Sequence, residues 1–290
     1  MEKHVRRPIR QKGRHRKWIR LGCLLSVTVL LIYVFVFFGL YCREKIEETE
    51  SASWAGGKTV AFSDMNSASA KASGDQVRRV YLTFDDGPSE YTDQILDILA
   101  RNQVKATFFV VGKEEEQYYD DYRRIVEEGH TIGLHSYSHI YKEFYRSEES
   151  FAEDLNKLDD LIYKLTGTRC RIFRFPGGSS NQVCPLPIQN YIAYLNKKHI
   201  RYYDWNSLNG DAVTNGLTPE QLVQNIMRDV EKNQDSIVLM HDLRTTHATV
   251  ESLQLLINTL QSEGFEILPI DEETPLIQHV SYKSAMTEEE

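Results

Sequence analysis

The sequence predicts an α/β domain, a parallel sheet covered by helices that is either left open or closed into a barrel. Three observations predict it. Seven short β-rich runs recur, at 80–84, 106–111, 131–134, 171–175, 200–203, 236–240 and 265–268,. Segments with helical spacing separate them, for example Ile95, Leu96, Ile98 and Leu99, or Leu253, Leu256, Ile257 and Leu260,. Polar clusters follow five of the runs, which is where a parallel α/β sheet collects its chemistry, because the loops after its strands share one rim.

Ahead of this domain the chain changes character. Residues 21–42 contain no charged side chain, and about 22 such residues make a helix of roughly 33 Å, enough to cross a bilayer. A cleaved secretory signal is the competing reading, but its apolar part is shorter and ends in small residues, which Phe37-Phe38-Gly39-Leu40-Tyr41-Cys42 does not supply,. Bulky Tyr41 also argues against lipidation of Cys42. The first twenty residues carry nine Lys and Arg against Glu2 alone, a net +8, so the expectation is one membrane helix with residues 1–20 in the cytoplasm and the rest outside the cell,. With −8 on the whole chain, the remainder carries −16, a poor surface for phosphate backbones, so neither nucleic acid nor a nucleotide cofactor is expected,.

Residues 43–78 hold a Ser/Ala/Gly-rich stretch with little periodicity and are expected to form a flexible extracellular stalk,. The globular domain is expected at 79–270, and the weakly patterned residues 271–290 as a polar tail,. Cys170 and Cys184 lie on the outer side, where a disulfide persists,. A bridge between them and two buried free thiols are both open.

The clusters are TFDDGPS (83–89), HSYSH (135–139), RFPGGSS (174–180), DWNSLNGD (204–211) and LMHD (239–242). His135 and His139 are four apart, so on a helical turn both imidazoles project to one side and share a metal ion. One carboxylate from TFDDGPS completes a three-ligand set that leaves a coordination position for water. Adjacent side chains diverge at a strand end, so one of Asp85 and Asp86 binds the metal while its neighbour takes a proton from water. A helix N-cap or Asx turn is the plainer role for Asp before Gly-Pro. His241 is the candidate general acid, and Arg174 is expected to pair with the uncoordinated aspartate.

In this order the five clusters resemble the polysaccharide deacetylases of carbohydrate esterase family 4, the NodB-homology domain, over residues 79–270. The resemblance implies a distorted barrel of seven or eight β/α units. It implies Asp85 as general base, Asp86, His135 and His139 as metal ligands, His241 as general acid, Arg174 positioning Asp85, and Asp204 orienting His241. Trp205 and Leu239 would line the groove that receives the acetyl methyl, and Pro176 and Gly177 would face the substrate, with the Gly177 amide as an oxyanion donor. Many members carry an aromatic residue after the proline of the arginine motif; here Gly177 and Gly178 follow Pro176, so that aromatic wall is missing.

The implied cofactor is one divalent metal ion, zinc above cobalt, nickel or iron. The implied substrate is an N-acetylated polysaccharide, peptidoglycan first, then chitin oligomers or another exopolysaccharide. A catalytically silent glycan-binding domain and a hydrolase of small amides are the rival readings.

Overall fold

A computed structural model of the protein describes residues 77–213 and 216–282. The expected basic tail, membrane helix and nearly all of the stalk lie outside the described residues, as do Cys23 and Cys42. Among the described residues no helix is long and apolar enough to cross a membrane.

Strand and helix alternate as the pattern predicts. β1 (Arg79–Asp85) is followed by α1 (Thr92–Arg101), β2 (Thr107–Val111), α2 (Tyr119–Glu127), β3 (Thr131–Ser136), the single turn α3 (Tyr141–Phe144) and the long α4 (Glu148–Thr166). Then come β4 (Ile172–Phe173), α5 (Ile188–Lys197), β5 (Arg201–Tyr202), β6 (Ser207–Leu208), α6 (Pro219–Val230), β7 (Asp235–His241), α7 (His247–Ser262) and β8 (Glu266–Leu268). Each of the seven β-rich runs contains a strand. β6 has no counterpart among those runs, because two residues inside a polar cluster carry no period.

The strands pair in the order β5-β4-β3-β2-β1-β7-β6, all parallel. β7 pairs with β1 along its whole length, so β8 at Arg79–Tyr81 and β2 at Thr83–Asp85 must share the other edge. The result is a curled half-barrel whose seam lies between β5 and β6, consistent with the distorted barrel that the resemblance implies.

Period-two alternation divides the strands between two faces. Val80, Leu82, Phe84, Phe108, Val110, Leu134, Phe173, Val238 and Met240 point outward into the main core beneath the helices. Burying each such side chain contributes about 1.5–3 kcal/mol. Tyr81, Phe109, Ile172, Tyr203 and Ile237 point inward and fill the curl together with Ile270. Gly133 belongs to this inward set, where a Cβ would stand 2.8 Å from Ile172 and Phe109, so only glycine fits without overpacking,. Two or four residues further along their strands the same inward parity reaches Asp85, His135, Arg174 and His241 at the carboxyl-end rim.

Capping holds the helices behind this rim. Ser147 accepts from the Ser150 amide to start α4, Gly167 at φ +74° ends it, and Thr218 with Gln221 forms a capping box on α6,.

Two expectations need revision here. Residues 271–282 do not trail as a tail: Ile277 O accepts from Asp204 N (2.8 Å), His279 N donates to Asp204 Oδ2 (2.7 Å), and Val280 N donates to Ser179 Oγ (2.9 Å), tying the segment along the seam. Cys170 and Cys184 are free thiols, which corrects the bridged alternative. They flank opposite ends of β4: Cys170 is buried ahead of it, whereas Cys184 lies past the rim loop, its Sγ donating to Asn181 Oδ1 at 3.2 Å.

Candidate active site

Asp85 and Asp86 part company at the end of β1. Asp85 keeps strand geometry and points into the curl, whereas Asp86 takes a left-handed φ of +74° and swings its carboxylate toward β3. His135, the penultimate residue of β3, points inward, and His139 sits in the following loop at φ +50°. The pair therefore does not share a helical turn, as the spacing suggested; a strand end and a left-handed loop residue bring the two rings together, with centroids 5.4 Å apart. Left-handed backbone at a non-glycine residue costs about 1–3 kcal/mol, and two of these three side chains carry it.

Asp154 on α4, which no motif announced, holds that loop. Its carboxylate accepts from Ser136 Oγ (3.0 Å), Tyr137 N (2.5 Å) and Ser138 N (3.0 Å), while Ser136 Oγ accepts from His139 N (2.9 Å).

One ligand atom from each of Asp86, His135 and His139 lies within 4.8 Å of the others. Asp86 Oδ1 is 3.0 Å from His139 Nε2 and 3.4 Å from His135 Nε2. Even so, Asp86 Oδ1 and His139 Nε2 are buried without a hydrogen-bond partner. Buried polar atoms left unpaired beside one another are costly, and a shared cation resolves both. The residues thus fit a divalent metal. His135 is preset for it: Nδ1 lies 2.8 Å from the Arg174 carbonyl, which has no proton to give, so Nδ1 donates and Nε2 keeps its lone pair,. Burial opposes ionisation of Asp86, but His139 and His135 outweigh it and hold the carboxyl below its usual range.

Asp85 faces Arg174, whose Nη1 is 2.8 Å from Asp85 Oδ1 and 2.6 Å from Thr83 Oγ1. Nε donates to Tyr203 O, Nη2 donates to Asp204 O, and the guanidinium stands 4.3 Å from the Phe109 ring centroid. Arg174 is fully buried, so this fork fixes the Asp85 carboxylate in a site without water screening,.

His241 is the third element of the rim. Its Nδ1 is 2.7 Å from Asp211 Oδ1, and Asp211 Oδ2 accepts from His241 N (2.9 Å) and Thr249 Oγ1 (2.8 Å). Burial pulls the imidazole down, but Asp211, with Asp85 and Asp86 behind it, pushes it up to about 9. The residue that orients His241 is therefore Asp211 and not Asp204, a correction to the sequence expectation. Asp204 is spent elsewhere: its carboxylate accepts from Ser179 N, Ser179 Oγ and His279 N, locking the 174–180 loop to the C-terminal segment. Asp211 closes the same cluster, DWNSLNGD, so its signal lies in the sequence beside that of Asp204.

The expected substrate-facing residues divide. Gly177 is exposed at φ +77°, and its amide donates to nothing among the described residues. Pro176 is buried, its carbonyl accepting from Tyr145 Oη at 2.9 Å. Leu239 is buried with inward parity and joins neither apolar cluster. Trp205 packs instead on the inner cluster and edge-on to His279, and a Cβ at Gly178 would stand 2.9 Å from its ring. Asp242 clamps the first loop from β7, accepting from Ser89 Oγ and Thr92 Oγ1. A cavity of about 780 Å³ opens at the opposite end of the strands, beside Thr131, Ile172 and Arg201, and includes none of these residues.

A family model described as polysaccharide deacetylase matches residues 72–194 and ends before Asp204, Asp211 and His241. A putative polysaccharide deacetylase of Bacillus subtilis is 33% identical over 65% of this chain and 65% of its own length, so the match spans less than two thirds of that relative. A chitin deacetylase of Colletotrichum lindemuthianum is 31% identical over 67% of this chain and 78% of that protein. Among solved structures, the catalytic domain of peptidoglycan N-acetylglucosamine deacetylase from Eubacterium rectale is similar with a TM-score of 0.67 and 36% identity, covering 73% of this chain and 97% of that one.

Proposed function

The chain belongs to the polysaccharide deacetylase family, and we propose that it is a metal-dependent hydrolase removing N-acetyl groups from cell-wall polysaccharide, with peptidoglycan as substrate. The observation that carries this is the convergence of Asp86, His135 and His139 with two unpaired buried ligand atoms among them, beside the Arg174–Asp85 and Asp211–His241 pairs. The similarity to a peptidoglycan deacetylase domain supports the substrate, and the similarity to a chitin deacetylase supports N-acetylated glycan more broadly.

Asp86, His135 and His139 would hold the cation, and one carboxylate with two imidazoles suits zinc ahead of cobalt, nickel or iron. When bound, it supplies Lewis acidity and lowers the pKa of water. Asp85, fixed by Arg174, is placed to accept the proton of the attacking water. The exposed, unbonded Gly177 amide donates to the carbonyl oxygen as negative charge grows there. His241, kept protonated by Asp211, gives its proton to the departing amine, a step worth about 10²–10⁴-fold,. The uncharged run 21–42 behind nine basic residues supports a single span that leaves the domain outside the cell, with the bilayer as partner,.

The test strips the full-length protein with chelator, restores single metals, and follows acetate release from peptidoglycan fragments, chitin oligomers and small amides. Activity restored by zinc on the wall fragments is expected. Full activity without metal refutes the mechanism, and glycan binding without any acetate release establishes the silent-domain reading instead.

A further inference from the structure

Position 177 has no side chain, yet the space beside it is occupied. A Cβ built on Gly177 would stand 3.5 Å from Tyr141 Oη and 3.6 Å from Tyr141 Cε2. Tyr141 reaches there from α3, two residues past His139. Its ring meets the His139 imidazole edge to face, centroids 5.5 Å apart at 82°, and the Tyr145 ring at 6.1 Å and 90°. Tyr145 in turn donates its hydroxyl to the Pro176 carbonyl. Tyr141 is thus wedged between a metal ligand and the loop that carries the unbonded Gly177 amide.

Its hydroxyl differs from those of the tyrosines that pack around the same loops. Tyr122, Tyr145, Tyr191 and Tyr202 each donate to a backbone carbonyl. Tyr141 is only half-buried, its hydroxyl makes no hydrogen bond among the described residues, and its oxygen is not one of the sealed, unpaired atoms. An aromatic ring held rigidly, with a free donor at its tip, presents the two features a pyranose recognises: an apolar wall for its C–H face and a partner for a hydroxyl or acetamido oxygen.

Building on the deacetylase reading, we propose that Tyr141 is the specificity-determining aromatic of this site, supplying from α3 the sugar-binding wall and hydrogen bond that glycine at position 177 cannot supply. The group it reads is the N-acetylated pyranose whose acetamide lies at the metal ligands.

The test compares full-length wild-type protein with Tyr141→Phe and Tyr141→Ala, using the β-1,4-linked tetramer of N-acetylglucosamine as probe. Three quantities are read: KM and kcat of the zinc-loaded protein, tetramer Kd of the metal-stripped protein by calorimetry, and zinc affinity by competition. Loss of one hydrogen bond in Tyr141→Phe raises KM and Kd about three- to tenfold, and loss of the ring as well in Tyr141→Ala raises them more than about tenfold. Zinc affinity stays within about twofold of wild type, because the wall acts on the sugar and not through His139. Unaltered KM and Kd in both variants, tetramer binding by no form, or losses that follow weakened zinc binding would each overturn the proposal. If wild type binds the tetramer but releases no acetate, the catalytic reading fails while the Kd ratios still decide the role of Tyr141. Tyr141→Phe preserves the packing, so a poorly folded Tyr141→Ala leaves the hydrogen-bond arm decisive.

Discussion

Replacing Asp211 with Asn tests which carboxylate governs the acid. His241 stands at about 9 although burial pulls it down, and Asp211 is the first of the groups that raise it. Relative to the ordinary imidazole value of about 6.5, that is a difference of about 3 kcal/mol between the two protonation states. Asn keeps an acceptor for Nδ1–H but loses the charge, so the imidazole returns to about 6.5 or below. The alkaline limb of the kcat/KM profile, which reports the protonated acid of the free enzyme, then moves down by about two pH units. At pH 7.5 depleted acid alone slows the reaction about tenfold, before any loss of orientation. A bound cation lowers the absolute position of both limbs, so the prediction is the difference between variant and wild type.

Asp204→Asn is the control, because its carboxylate bonds Ser179 and His279 and not His241. That variant loses stability while its alkaline limb stays in place. The assay is acetate release at saturating zinc from pH 5 to 10. A limb that moves in Asp204→Asn and stays fixed in Asp211→Asn would refute the assignment. Unfolding of the metal-stripped protein gives a second check. A folded-state pKa above the unfolded one means the stabilisation is complete below pH 6.5 and fades as pH rises through about 9,. Wild type should lose up to about 3 kcal/mol over that window and Asp211→Asn far less.

Arg174→Met leaves the Asp85 carboxylate buried without its partner, and urea unfolding should show a loss of about 3–5 kcal/mol along with abolished activity,. Zinc at about a hundred times its Kd should raise Tm by about 5–10 °C in wild type. Asp86→Gly should abolish that rise yet leave the stripped protein no less stable, because glycine relieves the left-handed backbone there, as paired calorimetric scans would show,. His130, whose Nδ1 accepts from Ala106 N, is held neutral by burial, then by Lys105 and Arg124, at about 4. Its folded pKa lies below the unfolded one, so stability falls as pH drops below 6.5; between pH 6.5 and 5 it contributes a loss of up to about 2 kcal/mol, which His130→Asn should remove in urea titrations at the two pH values,.

The parts of the site that were legible in sequence are those fixed by strand parity. Asp85, Arg174 and His241 each lie an even number of residues beyond an inward-facing apolar residue of their own strand, namely Tyr81, Ile172 and Ile237. His135 stands two beyond Gly133, which is small because Phe109 and Ile172 crowd it from the neighbouring strands β2 and β4. A period of two in a sheet that curls in one direction is enough to aim four side chains at one rim.

What stayed hidden lies between those strands, where position depends on the packing of one loop on another. Asp204 and Asp211 share a cluster, but β6 intervenes, pairing Ser207 with Val238 and Leu208 with Leu239; beyond that ladder Asp211 arrives beside His241 while Asp204 stays at the seam. Two paired residues decide which carboxylate meets the imidazole, and so short a strand leaves no period in the sequence. Tyr141 shows the same rule from the other side. The glycine at 177 was visible as a missing wall, whereas its occupant is brought across from α3 by the strained turn at His139. The backbone that presents a metal ligand therefore also sets the aromatic surface beside the Gly177 amide, so relaxing His139 should disturb sugar recognition and metal binding together, whereas Tyr141→Phe should separate them.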